Sequence, residues 1–174
     1  MDYVNQYLSP LGIITLASDG KYLKGLWFND QKYFASTLNN EYQIKDLPIF
    51  SLTCNWLDEY FDGKNPSFIP PIKIITTPFR QKILDILMTI PYGSIITYKT
   101  IATQIVIQEG VRHMSSQAVG SAVGHNPISL IVPCHRVIGS QGKLTGYAGG
   151  ISKKLKLLQL EGVDISKLKL ANIN

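Results

Sequence analysis

The sequence has few cysteines, few histidines and few charged residues, and these scarcities exclude several classes of protein. Its two cysteines, Cys54 and Cys134, form no CxxC unit and no zinc-ligand spacing. Its three histidines show no metal-ligand periodicity, so we expect no metal site. Charged residues make up 17% of the 174 residues and hydrophobic residues 45%, which indicates a globular chain with a core. This length allows one or two small domains.

The sequence also lacks the segments that direct a chain to or through a membrane. The first ten residues, MDYVNQYLSP, contain neither a basic nor an apolar run, so we expect no signal peptide. The stretch 114–132 carries no acidic or basic residue, but polar residues, glycine and proline interrupt it, and we expect no membrane span. The net charge of +5 permits attraction to phosphate but is weak evidence for it.

The first half of the chain has the pattern of a small α/β domain, which we expect over residues 1–75. Two apolar runs flank an Asp-Gly turn dipeptide and predict a β-hairpin. Apolar residues at helical spacing then predict a helix, and a third strand follows a proline-rich loop. The predicted elements are strands at 11–17 and 22–28, a helix at 47–61 and a strand at 72–75. The expected fold is a small antiparallel sheet plus a helix.

The second half, residues 76–174, is predicted to be a mainly α domain with a helix-turn-helix. Thr77 and Thr97 are suited to cap helices, and Pro78 fits a first helical position. The predicted helices begin after Thr77 and after Thr97, and two more span 116–123 and 152–160. Two short helices joined by a turn indicate a helix-turn-helix, although the connection 108–114 exceeds the usual three or four residues.

The segment 131–137, IVPCHRV, carries the strongest chemical signal. It reads as a strand-like apolar run that ends in Cys134, with His135 directly after it. Thiolate is the strongest side-chain nucleophile near neutral pH, and a neighbouring histidine can activate it. The glycines that follow in 139–150 would let backbone approach a ligand closely. Cys134 is therefore the candidate nucleophile, whereas Cys54 is expected to be a small buried residue.

This segment resembles the active-site motif of the O6-alkylguanine-DNA alkyltransferase family. The resemblance runs from about 77 to 163 and includes Gly-His-Asn-Pro at 124–127, Gly-Tyr-Ala-Gly-Gly at 146–150 and Leu-Glu-Gly at 160–162. It implies a suicide DNA repair protein, which moves an alkyl group from guanine O6, and from thymine O4, to its own cysteine once and irreversibly. It also implies no cofactor, double-stranded DNA as partner, no membrane and a monomer. A reduced thiol points to the cytoplasm.

The resemblance assigns catalytic roles to four residues. Cys134 matches the alkyl acceptor, His135 the histidine that acts through a water, and Glu161 the glutamate that orients this histidine. Tyr98 matches a tyrosine near guanine N3 and the flanking phosphate, although an aromatic packed into a helix interface is the alternative. A carboxylate near a helix C-terminus opposes the helix dipole, which favours a specific partner for Glu161.

Further residues match substrate and DNA contacts. The main-chain N–H groups of Val137 and Ala148 match hydrogen-bond donors to O6, and Tyr147 matches a wall of the pocket or plain core. The small residues of 115–122 suit a helix that enters the minor groove with low sequence specificity, or one that packs tightly. The residues expected to contact DNA are Arg112, Ser115, Ser116, Gln117 and Gly120.

Three further residues, Gln117, Asn126 and Arg136, are expected to have distinct roles. Gln117 stands where much of the family has an arginine that fills the gap left by a flipped nucleotide; glutamine is uncharged and shorter, and Arg112 could compensate. Asn126 is assigned a structural role between the recognition helix and the active-site loop. Arg136 is expected to form a buried ion pair with a partner that the sequence does not reveal.

Two other functions are weighed against alkyl transfer. A non-enzymatic DNA-damage-binding protein of the same fold is one, but such relatives lack the cysteine that this chain has at position 134. A cysteine hydrolase is the other, but the members of a protease dyad usually come from distant segments rather than from adjacent residues.

Overall fold

The computed structural model describes residues 1–170, which divide into two compact units. The first unit contains Met1–Thr76 and the short segment Pro127–Ile131; the second contains Thr77–Asn126 and, among the described residues, 132–170. The expected domains, 1–75 and 76–174, place residues 127–131 in the second domain. No helix within residues 1–170 has the length and apolar character that a membrane span requires.

The first unit is built on a four-stranded sheet and one helix. The strands are β1 (Asp2–Ser9), β2 (Gly12–Ser18), β3 (Leu23–Phe28) and β4 (Tyr42–Ile44), and the helix is α1 (Pro48–Phe61). The strand order is β3-β2-β1-β4, with β1, β2 and β3 antiparallel and β4 parallel to β1. The sheet is therefore mixed rather than purely antiparallel. The predicted hairpin is confirmed as β2 and β3.

The sequence does not predict β1 or β4, and the strand predicted at 72–75 is wrong. In that segment only Ile72 forms an isolated bridge, with Leu23. β1 escapes prediction because its first inward position is the charged Asp2, which is buried against Lys24. β4 has only three residues, and all of them are exposed.

The second unit contains four helices within the described residues. They are α2 (Pro78–Met88), α3 (Tyr98–Glu109), α4 (Ser116–Gly124) and α5 (Ile151–Leu160). Two short parallel strand pairs join parts of this unit: β5 (Ile96–Thr97) with β6 (Val137–Ile138), and β7 (Lys143–Leu144) with β8 (Lys169–Leu170).

The predicted helix caps are confirmed, and they fix where α2 and α3 begin. The Thr77 hydroxyl accepts from the Arg80 N–H at 3.3 Å, and the Thr97 hydroxyl accepts from the Thr100 N–H at 3.0 Å. Each bond satisfies a donor that the first helical turn leaves unpaired. The helix-turn-helix pair is α3 and α4, which pack against each other.

The segment around Cys134 is a turn, so the expectation of a strand-like run is wrong. Cys134–Arg136 form a single 3₁₀ turn, which precedes β6. Pro133 has no N–H for a strand ladder, and its carbonyl accepts from the Arg136 N–H at 3.1 Å instead. Leu130 has a positive φ of 70°, which ends the extended course of the chain before the cysteine.

Candidate active site

The 3₁₀ turn holds the Cys134 thiol inside the second unit, where Asn126 is a hydrogen-bond partner. Cys134 is only 4% exposed. The Asn126 side chain hydrogen-bonds to this thiol, and its Nδ2 donates to the Val132 carbonyl at 2.8 Å. Burial raises the pKa of Cys134, and the Asn126 hydrogen bond and the Lys154 charge oppose that rise without cancelling it. The resting thiol therefore stays protonated near neutral pH and needs a base.

The adjacent His135 is held in one tautomer by Glu161. Its Nε2 lies 2.5 Å from Glu161 Oε1, and both side chains are buried. A carboxylate only accepts, so Nε2 carries the proton and Nδ1 is the basic nitrogen. Burial lowers the pKa of His135 and outweighs the opposing effect of Glu161. The imidazole is therefore neutral near pH 7 and can take up a proton at Nδ1.

Glu161, at the C-terminal end of α5, receives hydrogen bonds from three residues. Arg136 donates from Nε to Oε2 at 2.8 Å and from Nη2 to Oε1 at 3.1 Å, and the Gly93 N–H donates to Oε2 at 3.1 Å. His135 is the third. Burial alone would raise the pKa of Glu161, but His135 and Arg136 lower it to about 2. Glu161 is thus the ion-pair partner of Arg136 that the sequence does not reveal.

The Tyr98 hydroxyl, at the first residue of α3, faces the loop that follows β7. It lies 3.1 Å from the Thr145 carbonyl and 3.0 Å from the Gly146 carbonyl and can donate its single proton to either. Burial and the nearby Cys134 raise the pKa of Tyr98, so the phenol remains a donor at neutral pH. A Cβ built on Gly120 would lie 3.8 Å from the Tyr98 ring, so Gly120 packs α4 against this tyrosine.

The two main-chain N–H groups predicted to donate to O6, those of Val137 and Ala148, differ in whether they already make a hydrogen bond. The Val137 N–H donates to the Cys134 carbonyl and closes the 3₁₀ turn, so its donation to O6, which stays a prediction, would have to replace or share this bond. The Ala148 N–H makes no hydrogen bond within residues 1–170 and remains a candidate donor. The Tyr147 hydroxyl is buried without a hydrogen-bond partner in the described chain, and its raised pKa reflects burial and the charges of Cys134 and Glu161.

Lys154, on α5, is a buried residue of this site that sequence reasoning misses. Its side chain is fully buried, and its Nζ donates to the Thr145 carbonyl at 3.0 Å. It occupies a position on the apolar stripe of α5, between Ile151 and Leu158, which pack in the unit's core. A lysine on an apolar helix face is the signal that could have identified it.

The residues expected to contact DNA lie around the start of α4. The Ser115 hydroxyl caps this helix by accepting from the Gln117 and Ala118 N–H groups at 3.1 and 3.3 Å. Ser116, Gln117 and Arg112 are exposed. A cavity of about 310 Å³ beside them is lined by eight residues, among them the basic side chains Lys99, Arg112 and His113.

The side chains of the site are gathered around the Cys134 thiol. In the described part of the chain, no group of three or more His, Cys, Asp or Glu side chains could hold a metal ion. Cys134, His135 and Glu161 come together with Tyr98 and Tyr147, whereas Cys54 lies half-buried on α1 beside Asp58. Burial and Asp58 both raise the pKa of Cys54, which keeps that thiol unreactive.

Family models match both halves of this chain. Residues 78–163 match the DNA-binding domain of 6-O-methylguanine DNA methyltransferase, and residues 3–74 match its ribonuclease-like domain. A methylated-DNA–protein-cysteine methyltransferase of Mycobacterium bovis is 44% identical over 153 residues, 88% of each chain. One from Haemophilus influenzae is 38% identical over 163 residues, which cover 92% of this chain and 87% of that protein.

A solved structure agrees with these sequence matches. The crystal structure of Mycobacterium tuberculosis OGT in complex with DNA superposes with a TM-score of 0.80 at 38% identity. The match covers 95% of this chain and 94% of the other. The agreement therefore extends over both compact units and is not confined to the second unit, which contains Cys134.

Proposed function

The chain belongs to the 6-O-methylguanine DNA methyltransferase family, and from that premise we propose that Cys134 is the alkyl acceptor of a single-turnover DNA repair reaction. The observation that carries this proposal is the buried thiol beside a histidine whose tautomer a carboxylate fixes. The substrate is O6-alkylguanine in double-stranded DNA, and O4-alkylthymine as a related lesion.

The first step is removal of the thiol proton. His135 Nδ1 takes the Cys134 proton through a bridging water, and Glu161 stabilises the resulting imidazolium at Nε2. The Cys134 thiolate then attacks the alkyl carbon in line with the bond to O6. The S–C bond forms as the C–O6 bond breaks, and the electron pair of the broken bond moves onto the guanine.

Hydrogen-bond donors then stabilise the departing base. Tyr98 turns its proton from the loop carbonyls to guanine N3, and the Ala148 N–H faces O6. Tyr147 forms a wall of the pocket. The product on the protein is a neutral thioether, and nothing in the proposed sequence of steps breaks the new S–C bond. The reaction is therefore stoichiometric and needs no cofactor.

The DNA interface is α4 with the loop before it. A relative of known structure binds DNA, and in this chain Ser116 and Gln117 are exposed on α4 and Arg112 is exposed in the loop before it. We place this helix in the minor groove, where contacts to phosphate and sugar give low sequence specificity. Gln117 enters the gap left by the extruded nucleotide. We further propose that the protein acts as a monomer in the cytoplasm, where thiols stay reduced.

A transfer assay with paired cysteine variants tests this function. Duplex DNA with a radiolabelled methyl group on guanine O6 is incubated with wild type, Cys134→Ser and Cys54→Ser. Label should move to the wild-type protein and to Cys54→Ser but not to Cys134→Ser. A damage-binding protein without transferase activity would retain the DNA in a gel-shift assay and transfer no label.

A further inference from the structure

Lys154 is a buried cation that the reaction described above does not use. Its side chain is fully buried, and no carboxylate pairs with it within residues 1–170. A buried ammonium without a counter-ion carries a large desolvation cost. The two contacts of its Nζ are the Thr145 carbonyl at 3.0 Å and the Tyr98 ring, whose centroid lies 5.8 Å away.

The groups that face Lys154 show which charge it can balance. Cys134 and His135 face it from the 3₁₀ turn, Tyr98 from α3, and the Thr145 carbonyl from the loop after β7. Tyr98 is neutral at physiological pH, and His135 carries no negative charge. The carboxylate of Glu161 is already engaged by Arg136 and His135. The Cys134 thiolate is the remaining anion.

We propose that Lys154 is a positioning residue whose ammonium is the counter-cation of the Cys134 thiolate. This inference rests on the proposed role of Cys134 as the nucleophile. The positive charge favours the thiolate over the thiol and so stabilises the negative charge on sulfur.

The contact with Thr145 gives Lys154 a second effect on the same site. The Thr145 carbonyl accepts from the Lys154 ammonium and also lies within hydrogen-bond distance of the Tyr98 hydroxyl. When Tyr98 turns its proton to the base, Lys154 keeps this part-buried carbonyl hydrogen-bonded, so the acceptor is not left unpaired. Lys154 thus lowers the cost of the movement that Tyr98 makes towards the substrate.

Transfer of the alkyl group removes the anion that Lys154 balances. The thioether is neutral, so the buried ammonium then faces no negative charge. Burial already lowers the pKa of Lys154 to about 8, and the Cys134 thiolate acts in the opposite direction. In the unmodified protein, the thiolate that forms as Cys134 ionises raises the pKa of Lys154; the neutral thioether cannot, so the pKa of Lys154 should be lower after alkylation.

The first test measures the rate of Cys134 alkylation by iodoacetamide as a function of pH, without DNA. Lys154→Met keeps the length of the side chain and removes its charge; Lys156→Met, an exposed lysine on the same helix, is the matched control. Lys154→Met should move the profile to higher pH by about one unit, which is about tenfold slower reaction below the pKa. Lys154→Arg should restore part of the rate, and Lys156→Met should match wild type.

The thermal midpoint of each variant shows whether a slower reaction comes from loss of the fold. Because Lys154→Met removes a buried unpaired charge, its thermal midpoint should equal or exceed that of wild type. An unchanged pH profile in a folded Lys154→Met protein would overturn the proposal. A profile that shifts equally in Lys156→Met would also overturn it, since the effect would then come from net charge.

The second test follows the Lys154 side chain itself. Its ε-carbon resonance is titrated by NMR in the intact protein and after carbamidomethylation of Cys134, with Lys156 as the internal reference. The pKa of Lys154 should fall after modification. An equal Lys154 pKa in both states would overturn the proposal. Neither measurement requires alkylguanine DNA, so a failure of the repair function would appear separately, as absence of transfer in the labelling assay.

Discussion

At the scale of single residues, the Glu161 carboxylate connects the chemistry of the site with the stability of the unit. It receives hydrogen bonds from His135, from Arg136 and from the Gly93 N–H. These partners come from two separate segments of the second unit, the 3₁₀ turn Cys134–Arg136 and the loop after α2 that contains Gly93. Removing the charge therefore alters the basicity of His135 and leaves the Arg136 guanidinium without its buried counter-ion.

Replacement of Glu161 by glutamine should raise the apparent pKa of Cys134. Without the carboxylate, the imidazolium of His135 loses its stabilising partner, and removal of the thiol proton becomes harder. The measurement is the pH dependence of Cys134 alkylation by a small electrophile, with the exposed Asp164→Asn as control. A profile identical to that of wild type would show that Glu161 has only a structural role.

The same variant should be less stable than wild type. Breaking a buried ion pair by removal of one partner costs about 3 kcal/mol, because the other charge stays buried. Urea unfolding at neutral pH measures this loss. Asp164→Asn should change the unfolding free energy by less than about 1 kcal/mol, since exposed charges contribute little.

At the scale of elements, α4 presents an uncharged residue, Gln117, at the position where the family resemblance leads us to expect an arginine. Gln117 is exposed on the first turn of this helix, next to the Ser115 cap. Extruding a paired base costs a few kcal/mol, which a side chain in the gap partly offsets. The contribution of Gln117 should therefore appear with duplex DNA and vanish with a free base.

Gln117→Ala should slow repair of alkylated duplex DNA and leave the reaction with free O6-benzylguanine almost unchanged. Gln117→Arg should raise the duplex rate, and part of that gain should disappear at high salt. Single-turnover rates with excess protein measure both effects, and Gln108→Ala, an exposed glutamine on α3, is the control. Equal duplex rates for wild type and Gln117→Ala would end the proposal that Gln117 fills the gap.

The basic side chains beside α4 should contribute to binding through phosphate contacts. Lys99, Arg112 and His113 line one cavity near the start of this helix. Arg112→Ala should weaken binding to all duplex sequences alike and reduce the slope of log K against log salt by about 1. Lys32→Ala, an exposed lysine of the first unit, should leave the slope unchanged. A loss confined to one sequence would instead indicate base recognition.

The elements differ in how far the sequence predicts them, and local chemistry explains the difference. Thr77 and Thr97 determine the starts of α2 and α3 by side-chain hydrogen bonds within one helical turn, so sequence suffices. β1 and β4 depend on pairing between distant segments, with Asp2 buried by Lys24 and by the Asn39 N–H. Such partners cannot be read from neighbouring residues.

The candidate site, like the fold, can be predicted from the sequence only in part. The motif around Cys134 and His135 and the position of Glu161 follow from the family resemblance. The hydrogen bond from the Val137 N–H to the Cys134 carbonyl and the burial of Lys154 do not follow from it. Both depend on how the 3₁₀ turn and α5 pack. The turn itself follows from Pro133, which an apolar pattern alone does not reveal.

At the scale of the whole molecule, each unit contains a buried ion pair with a carboxylate of lowered pKa. Burial opposes the shift in both, but Lys24 and the Asn39 N–H lower the pKa of Asp2, and His135 and Arg136 lower that of Glu161. A carboxyl group with a lowered folded-state pKa stabilises the fold above its unfolded-state pKa. That stabilisation is lost as pH falls through the folded-state pKa.

Stability should therefore fall steadily as the pH drops from about 4.5, the ordinary value for Glu161, towards its folded-state value of about 2. Urea unfolding followed across this range measures the slope. In Glu161→Gln the slope should be smaller, because the group that takes up a proton on unfolding is gone. A wild-type stability that stays constant over this range would contradict the assigned ion pairs.

Cys134 should accept one alkyl group and be consumed in doing so. Protein is titrated with duplex DNA containing O6-methylguanine, and intact mass and peptide mapping are recorded at each ratio. One methyl group per protein molecule should appear, on the peptide with Cys134, and repair should stop when the protein is exhausted. Repair of more lesions than there are protein molecules, or methylation of Cys54, would contradict the account.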